Sequence, residues 1–275
     1  MRSGRLFSSS SSDVKSLPLR TALHQEPSLA SPLDRLLDMY RQTGRLDELV
    51  GLYRDHVAAY PDDVNGAAVL VRLLAGTRDA DALRVATAAA RQFPDNAYLA
   101  YLRHEVLDAL NESDALEQLD AAIGLETQPA RKRAWIERLL PLALAEDRLD
   151  LAEKHLRGLA AAAGNSPELR LEAAREMIAL KFHAAALELL VETAALRPSP
   201  ETMVDIELAA AAAEVGLNRA ADAASRLDKL LGKLTADYFR RPEIVRRRIA
   251  LVVDETQREA MIARARQGVE ARPKD

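Results

Sequence analysis

The sequence predicts an all-α fold, a superhelical solenoid of antiparallel helix pairs, on three observations. First, aromatic residues make up 4% of the 275 and glycines number 11, while alanine and leucine dominate. Strands favour β-branched and aromatic side chains, whereas Ala, Leu, Arg and Glu are strong helix formers. Second, helix-start signals recur. Pro61-Asp62-Asp63 returns as Pro94-Asp95-Asn96, and Ser166-Pro167-Glu168 as Ser199-Pro200-Glu201, each 33 residues on, with Ser31-Pro32 opening an earlier unit. Third, short polar breaks fall midway through units: Gly44-Arg45-Leu46-Asp47, Asn111-Glu112-Ser113-Asp114, Asp147-Arg148-Leu149-Asp150 and Gly216-Leu217-Asn218. Each unit therefore reads as helix, tight turn, helix.

The start signals have a mechanism. A serine at the N-cap accepts an orphan backbone N–H, proline at the first helical position loses nothing, and the acid that follows suits the helix dipole. Between starts and breaks the helices run about 12–15 residues, an ordinary globular length. Units are expected at 31–63, 64–96, 97–128, 129–165, 166–198 and 199–232. The fourth is longer, with a lengthened turn expected near Ala160 to Asn165, and the last two are degenerate. Residues 237–271 read as an atypical final pair. Its first helix starts near Pro242, Asp254-Glu255 marks its break, and Thr256–Gln267 is its second helix. Terminal repeats are expected to be atypical because their outer face meets water.

The offsets of bulky and small residues resemble the tetratricopeptide repeat (TPR) family, whose unit is a helix–turn–helix of about 34 residues. In 31–63, Leu33, Leu36 and Tyr40 take the bulky positions of the first helix, Gly44 the turn, Tyr53 the large position of the second helix, and Pro61 the close. Leu37, Leu49 and His56 depart from the pattern, standing where the family has small residues. Unit 97–128 matches at Leu99, Leu102, Val106, Ala115, Leu119 and Ala122, while Ala82, Ala89 and Ala152 supply small positions elsewhere. Two helices approach closely only where one sets a small side chain against the other's large one. One pair cannot bury its apolar face alone, so neighbouring pairs must stack. Ala160–Ala163 and Ala209–Ala213 are expected to mark such close contacts. The repeat domain is expected to span residues 31–271, behind a disordered or loosely attached extension, residues 1–30.

Composition narrows function. The absence of cysteine excludes a disulfide framework and thiolate catalysis, and fits a reducing, cytoplasmic setting. An Arg/Ser-rich, acid-poor start (Arg2, Arg5, Ser8 to Ser12) resembles an organellar transit peptide, but it lacks an amphipathic helix and reads first as a disordered tail. No apolar run approaches the roughly 20 residues of a membrane span. The formal net charge of -4, with signs interspersed, argues against a broad nucleic-acid surface. His24, His56, His104, His155 and His183 fall at most one per unit, and His104-Glu105 lacks the second histidine of a zinc-protease motif, since position 108 is Asp. His104 reads as a helix-surface histidine. With no phosphate loop, dinucleotide fingerprint or nucleophile elbow in the sequence, no catalytic residue, cofactor or metal ligand is assigned.

What remains is partner binding by a protein or peptide segment. The resemblance implies a concave groove lined by exposed first-helix residues. Carried over, these are Asp34, Asp38 and Arg41, then Val71 and Leu74, then Ala100, His104 and Leu107, then Glu137 and Leu144. The Lys and Asn of carboxylate-clamping TPR domains are missing there, so an apolar groove for a hydrophobic segment is expected. A register slip of one residue would instead make these positions core. A second surface, Tyr238-Phe239-Arg240-Arg241 with Arg246-Arg247-Arg248, has arginine–aromatic chemistry suited to RNA. Consecutive helical arginines do not share one face, and pairing with nearby acids is the expected role.

Overall fold

The computed structural model describes residues 11–252 and 255–270. Most of the Arg/Ser-rich start, and Asp254 of the expected final break, lie outside them. Every regular element among the described residues is helical. The chain divides into two compact units, Met1–Asp147 and Arg148–Asp275, and the division falls at the break inside the fourth expected repeat.

Unit one holds α1 (Ser11–Gln25), α2 (Ala30–Gln42), α3 (Leu46–Ala59), α4 (Val64–Thr77), α5 (Ala82–Gln92), α6 (Ala97–Leu110), α7 (Ala115–Leu125) and α8 (Pro129–Ala145). Unit two holds α9 (Leu149–Ala162), α10 (Pro167–Ala179), α11 (His183–Ala195), α12 (Pro200–Gly216), α13 (Ala220–Lys233), α14 (Arg241–Ala250) and α15 (Glu255–Glu270). Within each unit, sequential helices pack as neighbours, and alternate helices touch at α2–α4, α4–α6 and α10–α12. Short turns force neighbouring helices antiparallel, so each unit is an array of stacked helix pairs.

The starts and breaks behave chemically as expected. Asp63 Oδ1 accepts from the N–H groups of Asn65 (3.1 Å) and Gly66 (3.0 Å), Asn96 from Leu99 (2.9 Å), Ser166 from Leu169 (3.4 Å) and Ser199 from Thr202 (3.1 Å). Pro167 and Pro200 occupy the first helical turn. Ser31 is the exception: α2 has already begun at Ala30, with Leu29 at its cap. The breaks are closed by residues in the left-handed region, Gly44 at φ 65°, Asn111 at 57°, Asp147 at 57° and Asn218 at 60°, as helix ends require. The turn expected at Ala160 to Asn165 is confined to its later part, since α9 runs on to Ala162 and Ala160 is buried.

Small residues lie where the helices meet. Ala82, Ala89, Ala115, Ala122 and Ala152 are all buried, as are Ala209, Ala210, Ala211 and Ala213 on α12. The core of unit one gathers Leu36, Tyr40, Tyr53, Leu73, Leu74 and Leu99 with Ala82 and Ala89, and also takes in Leu23 of α1.

That last contact bears on the described part of the expected loose extension, residues 11–30; residues 1–10 lie outside the described residues. From Ser11 onward this segment is helical, and α1 packs on α2 and α4. Leu23 is fully buried, Ser16 lies 3.5 Å from the Tyr40 hydroxyl, and the Asn65 amide donates to the His24 carbonyl at 2.9 Å. The physical reason lies in α4, whose Ala67 to Val71, Leu73 and Leu74 are all buried. A helix apolar over most of its circumference must be covered over most of it, and α1 supplies one of the covers.

The α7–α8 junction is pinned by Glu126, whose side chain is 1% exposed. It accepts from the Gln128 N–H at 2.7 Å and from the Arg131 guanidinium. Burial alone would raise its carboxyl, but Arg131 and the N–H groups of Gln128 and Thr127 outweigh burial and hold it below the usual carboxylate range.

Two measurements check this packing. Ala122→Leu is expected to destabilise the protein in urea unfolding by about 1–3 kcal/mol through overpacking, whereas Ala109→Leu, on an exposed position of α6, should stay within about 0.5 kcal/mol. Because the Glu126 carboxyl is depressed on folding, its contribution is present above the unfolded value near pH ~4.3 and lost as pH falls through the folded value. Glu126→Gln should therefore cost about 1.5–3 kcal/mol at pH 7, with the difference from wild type shrinking as the pH is lowered from about 5 to 3.

Candidate partner-binding face

The structure separates the ten expected groove residues. Asp34, Asp38 and Arg41 are exposed on α2, with Arg41 donating to Asp38 at 2.9 Å. Glu137 is exposed on α8, while Ala100 and Leu144 are half-buried. Val71, Leu74, His104 and Leu107 are core, at 1%, 0%, 0% and 3% exposure, and cannot meet a partner. This is a correction both to the apolar groove and to the reading of His104 as a surface residue. Burial lowers the His104 pKa and favours the neutral ring, whose Nδ1–H donates to the Ala115 carbonyl at 2.8 Å. His104 thus fastens α6 to the first residue of α7.

The error has one cause. Moving each position one residue toward the C-terminus turns Val71, Leu74, Ala100, His104, Leu107 and Glu137 into Arg72, Ala75, Tyr101, Glu105, Asp108 and Arg138. Neighbouring residues on a helix lie about 100° apart, so a slip of one exchanges the accessible face for the buried one. The slip lies in the offsets within the units, since units 64–96 and 97–128 begin where α4 and α6 do, after the N-caps Asp63 and Asn96.

The α6–α8 face is polar and aromatic, and its parts are tied together. Arg138 of α8 reaches across to α6, where Nη1 donates to the Tyr101 hydroxyl (2.7 Å) and to Glu105 (3.1 Å), and Nη2 to Asp108 (3.1 Å). The Tyr101 and Trp135 rings stack with centroids 4.4 Å apart and planes 3° from parallel. The Arg138 guanidinium lies 5.6 Å above the Tyr101 centroid, and that of Arg131 lies 5.5 Å above Trp135. Tyr98 continues the line at 6.4 Å from Tyr101. Burial pushes the Tyr98 phenol up to about 12 and raises that of Tyr101, so both remain neutral hydrogen-bonding groups. Arg72 of α4 and Tyr98 both bond to the Pro27 carbonyl, so the α1–α2 turn rests on the α4–α6 end of this face.

The arginine cluster of unit two is engaged within the molecule. Arg240 donates to Asp205 (2.8 Å) and Glu243 (3.2 Å), Arg247 to Glu243 (2.8 Å) and Arg248 to Asp228 (2.9 Å). Arg241 donates to the Leu231 and Leu234 carbonyls and Arg246 to that of Pro242. Phe239, at 73% exposure, is the outstanding exposed aromatic there.

The histidines are less scattered in space than in sequence. His24 and His56 come together beside Asp63, a convergence that adjacent-residue patterns do not reveal.

No family model matches this chain, and no curated protein matches its sequence. Solved structures match at low identity. The APC/C hetero-tetramer Cut9-Hcn1 is 14% identical with a TM-score of 0.37, over 91% of this chain and 52% of that one. A tetratricopeptide repeat protein from Parabacteroides merdae ATCC 43184 is 15% identical at 0.35, over 83% and 89%. Yeast Tom70 is 13% identical at 0.34, over 94% and 58%. The chain thus spans about half the length of the Cut9-Hcn1 chain and somewhat more of Tom70. The helix pairing and buried small positions, rather than superpositions at these scores, define the class: a tetratricopeptide-like helical repeat. Among the described residues, no helix is long and apolar enough to cross a membrane.

The register is open to a direct check. Leu74→Glu should unfold unit one or cost more than about 4 kcal/mol, because it buries an unpaired charge. Ala75→Glu, one residue on and exposed, should leave the circular dichroism melt within error of wild type.

Proposed function

We propose that this protein is a non-enzymatic interaction scaffold that receives a segment of a partner protein on the α6–α8 face of unit one. The observation that carries this reading is the concentration of half-buried Tyr98, Tyr101, Arg131 and Arg138 on one surface, backed by the buried Trp135 ring. Tyr, Trp and Arg dominate the energetics of protein interfaces. Here the rings are held by stacking and a shared guanidinium, so little side-chain freedom is left to lose on binding. The first helices of repeat proteins commonly present such surfaces, and that step from fold to function is one of analogy.

The acids and bases of this face neutralise one another, which favours recognition by aromatic packing and hydrogen bonds over bulk charge. The RNA alternative would use the arginines of α14. Their commitment to Asp205, Asp228, Glu243 and backbone carbonyls supports a structural role for them instead.

The test begins with partners that co-purify with the full chain, identified by mass spectrometry and then titrated individually. Glu105→Arg combined with Asp108→Arg is expected to weaken binding by about 30-fold, the scale of an interface hot spot, with helicity retained. Ala161→Arg, on an exposed position of unit two, should leave affinity unchanged. Equal affinity for wild type and the double variant would rule this face out. An affinity falling by about 10³-fold or more between 50 and 200 mM salt would indicate nucleic acid.

A further inference from the structure

We propose that His24, His56 and Asp63 form a zinc-class divalent metal site that latches α1 onto the α3–α4 corner. The three residues come from separate places: the last turn of α1, the last turn of α3 and the N-cap of α4. His56 Nε2 lies 2.6 Å from Asp63 Oδ2, and His24 Nδ1 lies 3.6 Å from the same oxygen. All three candidate ligand atoms lie within 4.8 Å of one another. The imidazole rings meet edge to face, with centroids 5.8 Å apart and an interplanar angle of 88°, so their nitrogens converge without the rings stacking.

The surroundings hold the ligands from behind. Asp63 spends Oδ1 on the N–H groups of Asn65 and Gly66, leaving Oδ2 turned toward both histidines. Asn65 Nδ2 donates to the His24 carbonyl at 2.9 Å and fixes the end of α1 over the cluster. Outer contacts of this kind orient metal ligands. Gly66 makes the space: a Cβ there would lie 2.8 Å from Asp63 Oδ2 and 2.8 Å from His56 Cδ2.

One atom goes beyond what a simple capping arrangement needs. His24 Nδ1 is buried and has no hydrogen-bond partner among the described residues. Its nearest acid oxygen is at 3.6 Å, too long for a hydrogen bond. A cation among the three atoms would satisfy that nitrogen, the second imidazole and the carboxylate together.

Two imidazoles and a carboxylate are zinc donors, with water completing a tetrahedron, whereas magnesium and calcium take oxygen ligands. Bonds of about 2.0–2.2 Å place tetrahedral ligands roughly 3.4 Å apart. The His24–Asp63 separation of 3.6 Å already suits this. His56 and Asp63, 2.6 Å apart, must part by less than an ångström, and the histidine nitrogens, within 4.8 Å of each other, must meet the same spacing, both by side-chain torsions.

The test uses the full chain, stripped with a chelator, desalted and titrated with zinc sulfate by calorimetry and in thermal melts. Wild type is expected to bind about one equivalent with micromolar or tighter affinity and to melt higher with zinc than without. His24→Ala removes a ligand that is 44% exposed. Asp63→Asn retains an oxygen for the α4 cap, where asparagine serves as well as aspartate, and loses the anionic ligand. Each variant should keep its helicity and lose at least about tenfold in zinc affinity, together with the zinc-dependent rise in melting temperature. Zinc bound no more tightly by wild type than by His24→Ala, or a wild-type melt that zinc does not move, would overturn the site and leave a plain His56–Asp63 hydrogen bond. Cobalt(II) gives an independent reading: visible bands of a tetrahedral complex are expected with wild type and should be absent with both variants.

Discussion

Helix α4 is apolar and buried over most of its circumference, and unit one is organised by the need to cover it. Its buried run from Ala67 to Val71, with Leu73 and Leu74, touches α1, α2, α3, α5 and α6. Most helices in a repeat array keep one polar stripe and need only two or three neighbours. This one does not, so the segment before the first recognisable repeat becomes part of the fold. The same cover occupies much of the first-helix surface of α4. With α1 and the turn at Pro27 resting on α4, the accessible first-helix surface is left to α6 and α8, where Arg138 ties Tyr101, Glu105 and Asp108 together.

A related device recurs in unit two. Asp205 of α12 accepts from Arg240 at 2.8 Å and pairs with Arg175 of α10 at 3.2 Å, linking elements at the surface where apolar packing is thin. Arg226 of α13 bonds to both Glu207 and Glu214, and together these raise its pKa against the cost of burial. Partly exposed pairs such as Asp205–Arg240 contribute modestly, about 0–1 kcal/mol each, whereas the Arg226–Glu214 pair is largely buried. Their value is geometric: they select one lateral alignment among several that apolar stripes would tolerate.

Much of the architecture was legible in the sequence because its signals are local. Ser166-Pro167 and Ser199-Pro200 cap their helices as written, and Gly44, Asn111 and Asn218 close theirs in the left-handed region that Gly and Asn tolerate best. The breaks at Arg78 and Lys181 take the same backbone conformation with residue types that carry no such preference, and so leave no mark. Helix α1 was hidden for a comparable reason: it contains Pro18 and a weak apolar stripe, and only the presence of α4 explains its docking. The candidate face was missed by a single residue because the offsets carried into units 64–96 and 97–128 fall one position short, although both units begin where α4 and α6 do. On a helix that distance separates Leu107, in the core, from Asp108, bonded to Arg138.

The most direct measurement is native-state hydrogen exchange across α1. If α1 is a structural cover for α4, the amides from Arg20 to Gln25 should be protected and should open together with those of α4, with similar free energies of opening. Exchange of these amides at the intrinsic rate while α4 stays protected would contradict it, and would return residues 11–25 to the status of a loosely attached extension.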